Sequence, residues 1–151
     1  MLPRDIYGQP NAPDPVLDEA TVLEIARRHV PRCSAVTGID ESGGEARVYM
    51  IDDDLIFKVQ RPYQLRARTS LEKEAFFLGQ LADDPEIVVP DVLGYDRDGS
   101  IEYTLMTRMP GVAALSVELE GAARTNVLHQ LSRTMRRIHS IPQDPFFSSS
   151  L

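Results

Sequence analysis

At 151 residues the chain is long enough for one ordinary domain with a real core. Its hydrophobic content of 42% and charged content of 26% are those of a soluble globular protein, and a formal net charge of -7 argues against nucleic acid or an anionic membrane as the main partner. The single cysteine, Cys33, excludes an intramolecular disulfide and a cysteine-rich metal site and reads as a small buried or half-buried residue. No apolar run reaches transmembrane length and the N-terminus lacks the order of a signal peptide, so the expected compartment is the cytoplasm.

Taken in order, residues 1–16 carry four prolines and no apolar period, which predicts an irregular arm. A helix is expected from Asp18, with Val22, Ile25, Ala26 and His29 on one face and Pro31 as its stop; His29 is expected at the helix end near solvent. Ser34–Asp40 reads as a short strand. The following loop, Glu41 to Ala46, carries Ser42, Gly43 and Gly44. Taken alone it is an ordinary hairpin turn, though such a loop also lets backbone N–H groups approach a phosphate.

Asp52, Asp53 and Asp54 are turn residues, so Arg47–Ile51 and Leu55–Gln60 read as a hairpin. Period-two alternation sets Leu55, Phe57 and Val59 on one face and Ile56, Lys58 and Gln60 on the other. Thr69 with Glu72 forms a capping box for the next helix, whose Leu71, Ala75, Leu78 and Ala82 share a stripe. Glu74 falls inside that stripe, while Glu72 and Lys73 point elsewhere. A carboxylate turned inward is costly unless a cation meets it. Lys58 is the nearest candidate in sequence, with Arg66 and Arg68 in competition.

Beyond this helix, Asp91–Asp96 and Ser100–Met106 predict a second hairpin turned by Arg97, Asp98 and Gly99, and the aspartates there suit a turn better than a metal. Pro110 and Gly111 end the strand. Residues 123–140 predict an amphipathic helix lined by Val127, Leu128, Leu131, Met135 and Ile138, with Arg133, Arg136 and Arg137 on a solvated face. Asp144 to Leu151 carries no fold signal.

This order of elements resembles the small lobe of a protein-kinase-like fold, in which a third-strand lysine meets nucleotide phosphates and a glutamate of the following helix. The wording is similar to the aminoglycoside phosphotransferase and choline-kinase-like enzymes. The resemblance is carried by Glu45–Tyr49 (Glu-Ala-Arg-Val-Tyr), Leu55–Lys58 (Leu-Ile-Phe-Lys), Leu71–Leu81, Val89–Asp96, Tyr103–Gly111 and Leu131–Ile141, and runs from about Asp18 to Ile141. It implies an α+β fold: an antiparallel five-stranded sheet with a C-type helix, an N-terminal helix before it and the first helices of a truncated helical C-lobe after it. The corresponding divisions are 1–17 (arm), 18–109 (nucleotide-binding N-lobe) and 110–151 (hinge exit and start of an incomplete C-lobe).

Carried over by position, the resemblance implies that Lys58 contacts the α and β phosphates and that Glu74 orients it. Ser42, Gly43 and Gly44 would cover the phosphates through backbone N–H groups. Thr107 and Met109 would offer backbone groups to the base, with Val48, Ile56 and Met106 lining its pocket. Lys58 alone reads as part of a solvated strand face; with Glu74, the loop and the hinge in order it reads as a nucleotide contact. The implied cofactor is ATP or GTP with Mg2+, and the implied partner a small-molecule hydroxyl acceptor.

The sequence departs from the family where catalysis is expected. The family's catalytic aspartate follows a histidine by two residues, whereas His29 is followed by Val-Pro, His129 by Gln-Leu and His139 by Ser-Ile. No catalytic residue and no metal ligand is therefore assigned, and the expectation is half an enzyme with its acceptor-binding and metal-binding half missing. An alternative is a non-catalytic interaction module that self-associates through the apolar Val127–Ile138 face. A third is an unrelated α+β domain whose charges coincide.

Overall fold

The structure, a computed structural model, describes residues 16–41, 46–61, 71–99, 101–113, 116–142 and 144–147. Helix α1 spans Glu19–Arg27, β1 Val36–Asp40, β2 Ala46–Ile51, β3 Leu55–Gln60, α2 Leu71–Ala82, β4 Val92–Asp98, β5 Ile101–Thr107, α3 Gly121–His139 and α4 Asp144–Phe147. The strands form one antiparallel sheet in the order β1-β2-β3-β5-β4. The expected five-stranded antiparallel sheet, with a helix before it and helices after it, is the observed fold. The short helix α4 lies where no fold signal was read.

The alternation of β3 decides what each face of the sheet does. Leu55, Phe57 and Val59 are buried, and they share a core with Val22, Leu23, Ile25 and Ala26 of α1 and with Tyr49, Ile51, Tyr103 and Leu105 of the neighbouring strands. Burying each large aliphatic side chain there is worth about 1.5–3 kcal/mol. Tyr103 stacks on Phe57 at 5.1 Å between ring centroids, and Tyr49 meets Phe57 edge-on at 6.3 Å. The Tyr49 hydroxyl accepts from the Leu17 N–H (3.1 Å) and donates to the Leu17 carbonyl (3.3 Å), so its buried polar tip is satisfied. Cys33 is buried beside this core, as expected.

Helix α1 starts where the sequence placed it. Asp18 is its N-cap and accepts from the Thr21 N–H at 2.8 Å. The expectation for His29 needs correction. The helix ends at Arg27, and His29 folds back half-buried against Tyr103, its Nε2 2.9 Å from the Tyr103 hydroxyl. Its ring also fills the space above Gly94 of β4, where an added Cβ would collide with ring atoms Cγ, Nδ1 and Cδ2. Gly94→Ala is therefore expected to destabilise the protein by about 1–3 kcal/mol, as overpacking does. His29→Ala placed in the same chain should recover part of that loss. Urea melts of the two single variants and the double variant check this, and simple additivity would show that the ring is not the obstacle.

The acidic turn between β2 and β3 is held from outside. Asp52 sits at φ 50, a left-handed conformation that aspartate tolerates in turns. Its carboxylate accepts from the Ser34 hydroxyl (2.5 Å), the Ala35 N–H (3.1 Å) and the Ser34 N–H (3.2 Å). Ser34 thus serves the turn, and β1 begins at Val36 rather than at Ser34. The Ser34 hydroxyl chiefly, with these backbone N–H groups and the nearby Arg32, holds the Asp52 carboxyl below the usual carboxylate range; the bidentate Arg32 does the same for Asp54.

A carboxyl whose folded pKa is depressed contributes stability above its unfolded pKa, near 3.9, and loses it as pH falls through the lower folded value. The melting temperature should accordingly hold above about pH 5 and fall below it. Asp52→Asn should flatten part of that fall, and parallel pH profiles for the two proteins would remove Asp52 as a contributor.

Candidate nucleotide-phosphate site

The opposite face of the sheet carries Val48, Met50, Ile56, Lys58, Thr104 and Met106. Val48 lies across from Lys58, Ile56 from Met106 and Lys58 from Thr104. Helix α2 packs on β4 and β5 beside this face. Its sequence is rich in good helix formers, and Glu72 and Glu74 in the first turn suit the positive end of the helix.

Lys58 Nζ stands 2.7 Å from both Glu74 carboxylate oxygens. The two side chains are 24% and 33% exposed, so the pair is partly accessible to solvent. An unrelated domain with the two charges on separate faces is thereby excluded. Glu72 turns outward, as helical geometry predicts, and pairs with Arg97 at 3.3 Å. The Thr104 hydroxyl beside Lys58 is fully buried and has no hydrogen-bond partner among the described residues.

The apolar lining matches the alternation argument: Val48 and Ile56 are half-buried and Met106 is buried. The segment after β5 is pinned on two sides. The Thr107 N–H donates to the Asp91 carbonyl (2.9 Å), and the Asp91 N–H donates to Thr107 Oγ1 (2.8 Å). The Arg108 N–H donates to the Asp54 carbonyl (2.7 Å). The Met109 N–H makes no hydrogen bond to another described residue, and Met109 itself is 39% exposed.

Ser42, Gly43 and Gly44 lie outside the described residues, as do Thr69, Arg66 and Arg68. Among the described residues no group of three or more His, Cys, Asp or Glu side chains is gathered to hold a metal.

Two expectations outside the cleft need correction. Arg137 is not merely on a solvated face: its Nε and Nη2 reach the two carboxylate oxygens of Asp84 at 2.5 and 3.2 Å, holding that carboxyl below its usual range. Of the α2 stripe only Leu71 is fully buried; Ala75 and Leu78 are half-buried and Ala82 is exposed. No sequence signal marks the Arg137–Asp84 pair, because both residues are common on exposed surfaces and 53 positions separate them.

The phosphotransferase enzyme family, abbreviated APH, matches residues 35–150. Among solved structures, WbdD in a co-crystal with a kinase inhibitor is similar at 13% identity and a TM-score of 0.36, over 58% of this chain and 22% of that one. The bifunctional kinase-methyltransferase WbdD is similar at 12% identity and a TM-score of 0.37, over 58% of this chain and 24% of that one. The chain thus spans under a quarter of the length of either solved chain. No curated protein matches it. The family match covers all five strands and both α2 and α3, including the strand and helix that bring Lys58 to Glu74, and on that ground the chain belongs to the phosphotransferase enzyme family, with a kinase-like small-lobe fold.

Proposed function

We propose that this chain supplies the nucleotide-binding lobe of an ATP- or GTP-dependent phosphotransferase that carries a γ-phosphate to the hydroxyl of a small molecule in the cytoplasm. The observation that carries the reading is the two-point grip of Glu74 on a partly exposed Lys58 ammonium. A compact cation aimed by a carboxylate suits the α and β phosphates. Val48, Ile56 and Met106 would receive the base, and the Thr107 carbonyl and Met109 N–H would read its edge. A nucleotide supplies the phosphoryl group; the residues named here bind and orient it. No residue within the sequence is assigned as the base that accepts the hydroxyl proton.

Isothermal titration of the chain with Mg-ATP and Mg-GTP tests the proposal. Saturable binding of one or both is expected, and no heat with either would overturn it.

Self-association is a second reading, favoured by the apolar face of α3. Val127, Leu128, Leu131, Met135 and Ile138 are 37–52% exposed. Sedimentation velocity over a range of concentrations should then show a concentration-dependent species; a single monomer boundary throughout would dismiss it.

A further inference from the structure

The helix that carries Glu74 is lightly buried and tied by ion pairs at both ends. Of its twelve residues only Leu71 is fully buried. Near its start Glu72 meets Arg97 and Glu74 meets Lys58. Just past its end Asp84 meets Arg137, which belongs to α3, the helix that follows the Thr107–Met109 segment. Arg137 Nη1 also lies 3.5 Å from Glu86 Oε2.

Asp84 is built into the chain around it. Its N–H donates to the Leu81 carbonyl in the last turn of α2 (3.1 Å), and its carbonyl accepts from the N–H of buried Ile87 (3.0 Å). Its carboxylate also accepts from the Glu86 N–H (3.0 Å). A grip on Asp84 is therefore passed by backbone hydrogen bonds to α2 itself. Apolar packing between the two helices is incomplete: a cavity of about 230 Å3 lies between Phe76, Phe77 and Leu81 on one side and Ile138, Ile141 and Pro142 on the other. Across that gap the guanidinium fork spans two carboxylates, and its planar bidentate geometry is what distinguishes it from an ordinary surface ion pair.

We propose that Arg137 is a positioning residue that couples α3 to α2, so that its hold on Asp84 and Glu86 sets the population of chains in which α2 is docked and Glu74 meets Lys58. This rests on the reading that Lys58 binds nucleotide phosphate. A helix with one fully buried residue opens locally at little cost, so removing one tie shifts that population. With α2 undocked the ammonium is no longer aimed, and nucleotide affinity falls by the same factor as the docked fraction.

The test is hydrogen exchange followed peptide by peptide on the full chain, paired with Mg-ATP titration, for wild type, Arg137→Gln and Arg137→Lys. In Arg137→Gln the α2 amides should exchange about fivefold faster while those of β3 and β5 keep their wild-type rates. The dissociation constant for Mg-ATP should rise by a smaller factor, below about fivefold, because affinity follows the docked fraction whereas exchange follows the undocked one. Arg137→Lys, which keeps the charge and loses the fork, should fall between, and 1 M salt should erase the difference in exchange between wild type and Arg137→Gln.

Unchanged exchange in α2 would overturn the proposal. So would uniform acceleration through α2 and the sheet, which is the mark of a merely structural role. If wild type binds no nucleotide, the nucleotide reading fails, and the exchange arm alone decides whether Arg137 holds α2.

Discussion

Phe57→Ala is expected to cost about 3–5 kcal/mol, a large share of the roughly 5–15 kcal/mol that holds a domain of this size folded. The ring is fully buried, stacked on Tyr103 and touched edge-on by Tyr49, at the centre of the face covered by α1. Removing it leaves a cavity that its two rigid aromatic neighbours cannot fill without leaving their rotamers. At about 2–4 °C per kcal/mol for a chain of this length, the melting temperature should fall by about 10 °C.

The neighbouring residue makes the control. Ile56 is half-buried on the opposite face, so Ile56→Ala should cost much less, about 1–2 kcal/mol. Calorimetry on the two variants measures both. Equal losses would mean that the two faces of β3 are not divided as core and cleft.

Lys58→Met should weaken nucleotide binding by at least about tenfold, the worth of a charge-assisted hydrogen bond to phosphate. The unbranched methionine keeps the stem and removes the ammonium, so the expected loss is in affinity more than in fold. It also leaves the Glu74 carboxylate without its cation at 33% side-chain exposure, which should cost roughly 1–2 kcal/mol of stability, between the values for exposed and buried pairs.

Glu74→Gln separates aiming from contact. It keeps the ammonium and loses the carboxylate that directs it, so its affinity loss should be the smaller of the two. The double variant, Lys58→Met with Glu74→Gln, should regain stability and not affinity, because removing both partners leaves no unpaired charge. Titration calorimetry reads the affinities and thermal melts read the stabilities. A wild-type dissociation constant in Lys58→Met would reduce the pair to a structural tie.

Much of this was legible in the sequence because it depends on local periodicity. The division of β3 into a core face and a cleft face follows from alternation alone, and the burial of Phe57 against the partial exposure of Lys58 obeys it. Helical spacing singled out Glu74 over Glu72 as the inward acid, and Asp18, the acidic turn and the α3 stripe were likewise visible from residue type and spacing. Lys58 was one of three basic candidates for Glu74, and the contact itself chose it; the competing Arg66 and Arg68 lie outside the described residues.

What a sequence determines by itself is which side chains share a face, since that is a property of strand and helix geometry over a few residues. Which faces then meet is decided by packing between segments far apart in the chain, where no local pattern operates. His29 shows this: its place at a helix end suggested solvent, but the close approach that Gly94 permits turned the ring onto Tyr103, 74 positions away. Arg137 shows it again, for only the fold brings a common surface arginine onto Asp84 and makes it a tie between the helix after the sheet and the helix that carries Glu74. Short-range sterics wrote the elements; long-range complementarity of shape and charge assembled the site.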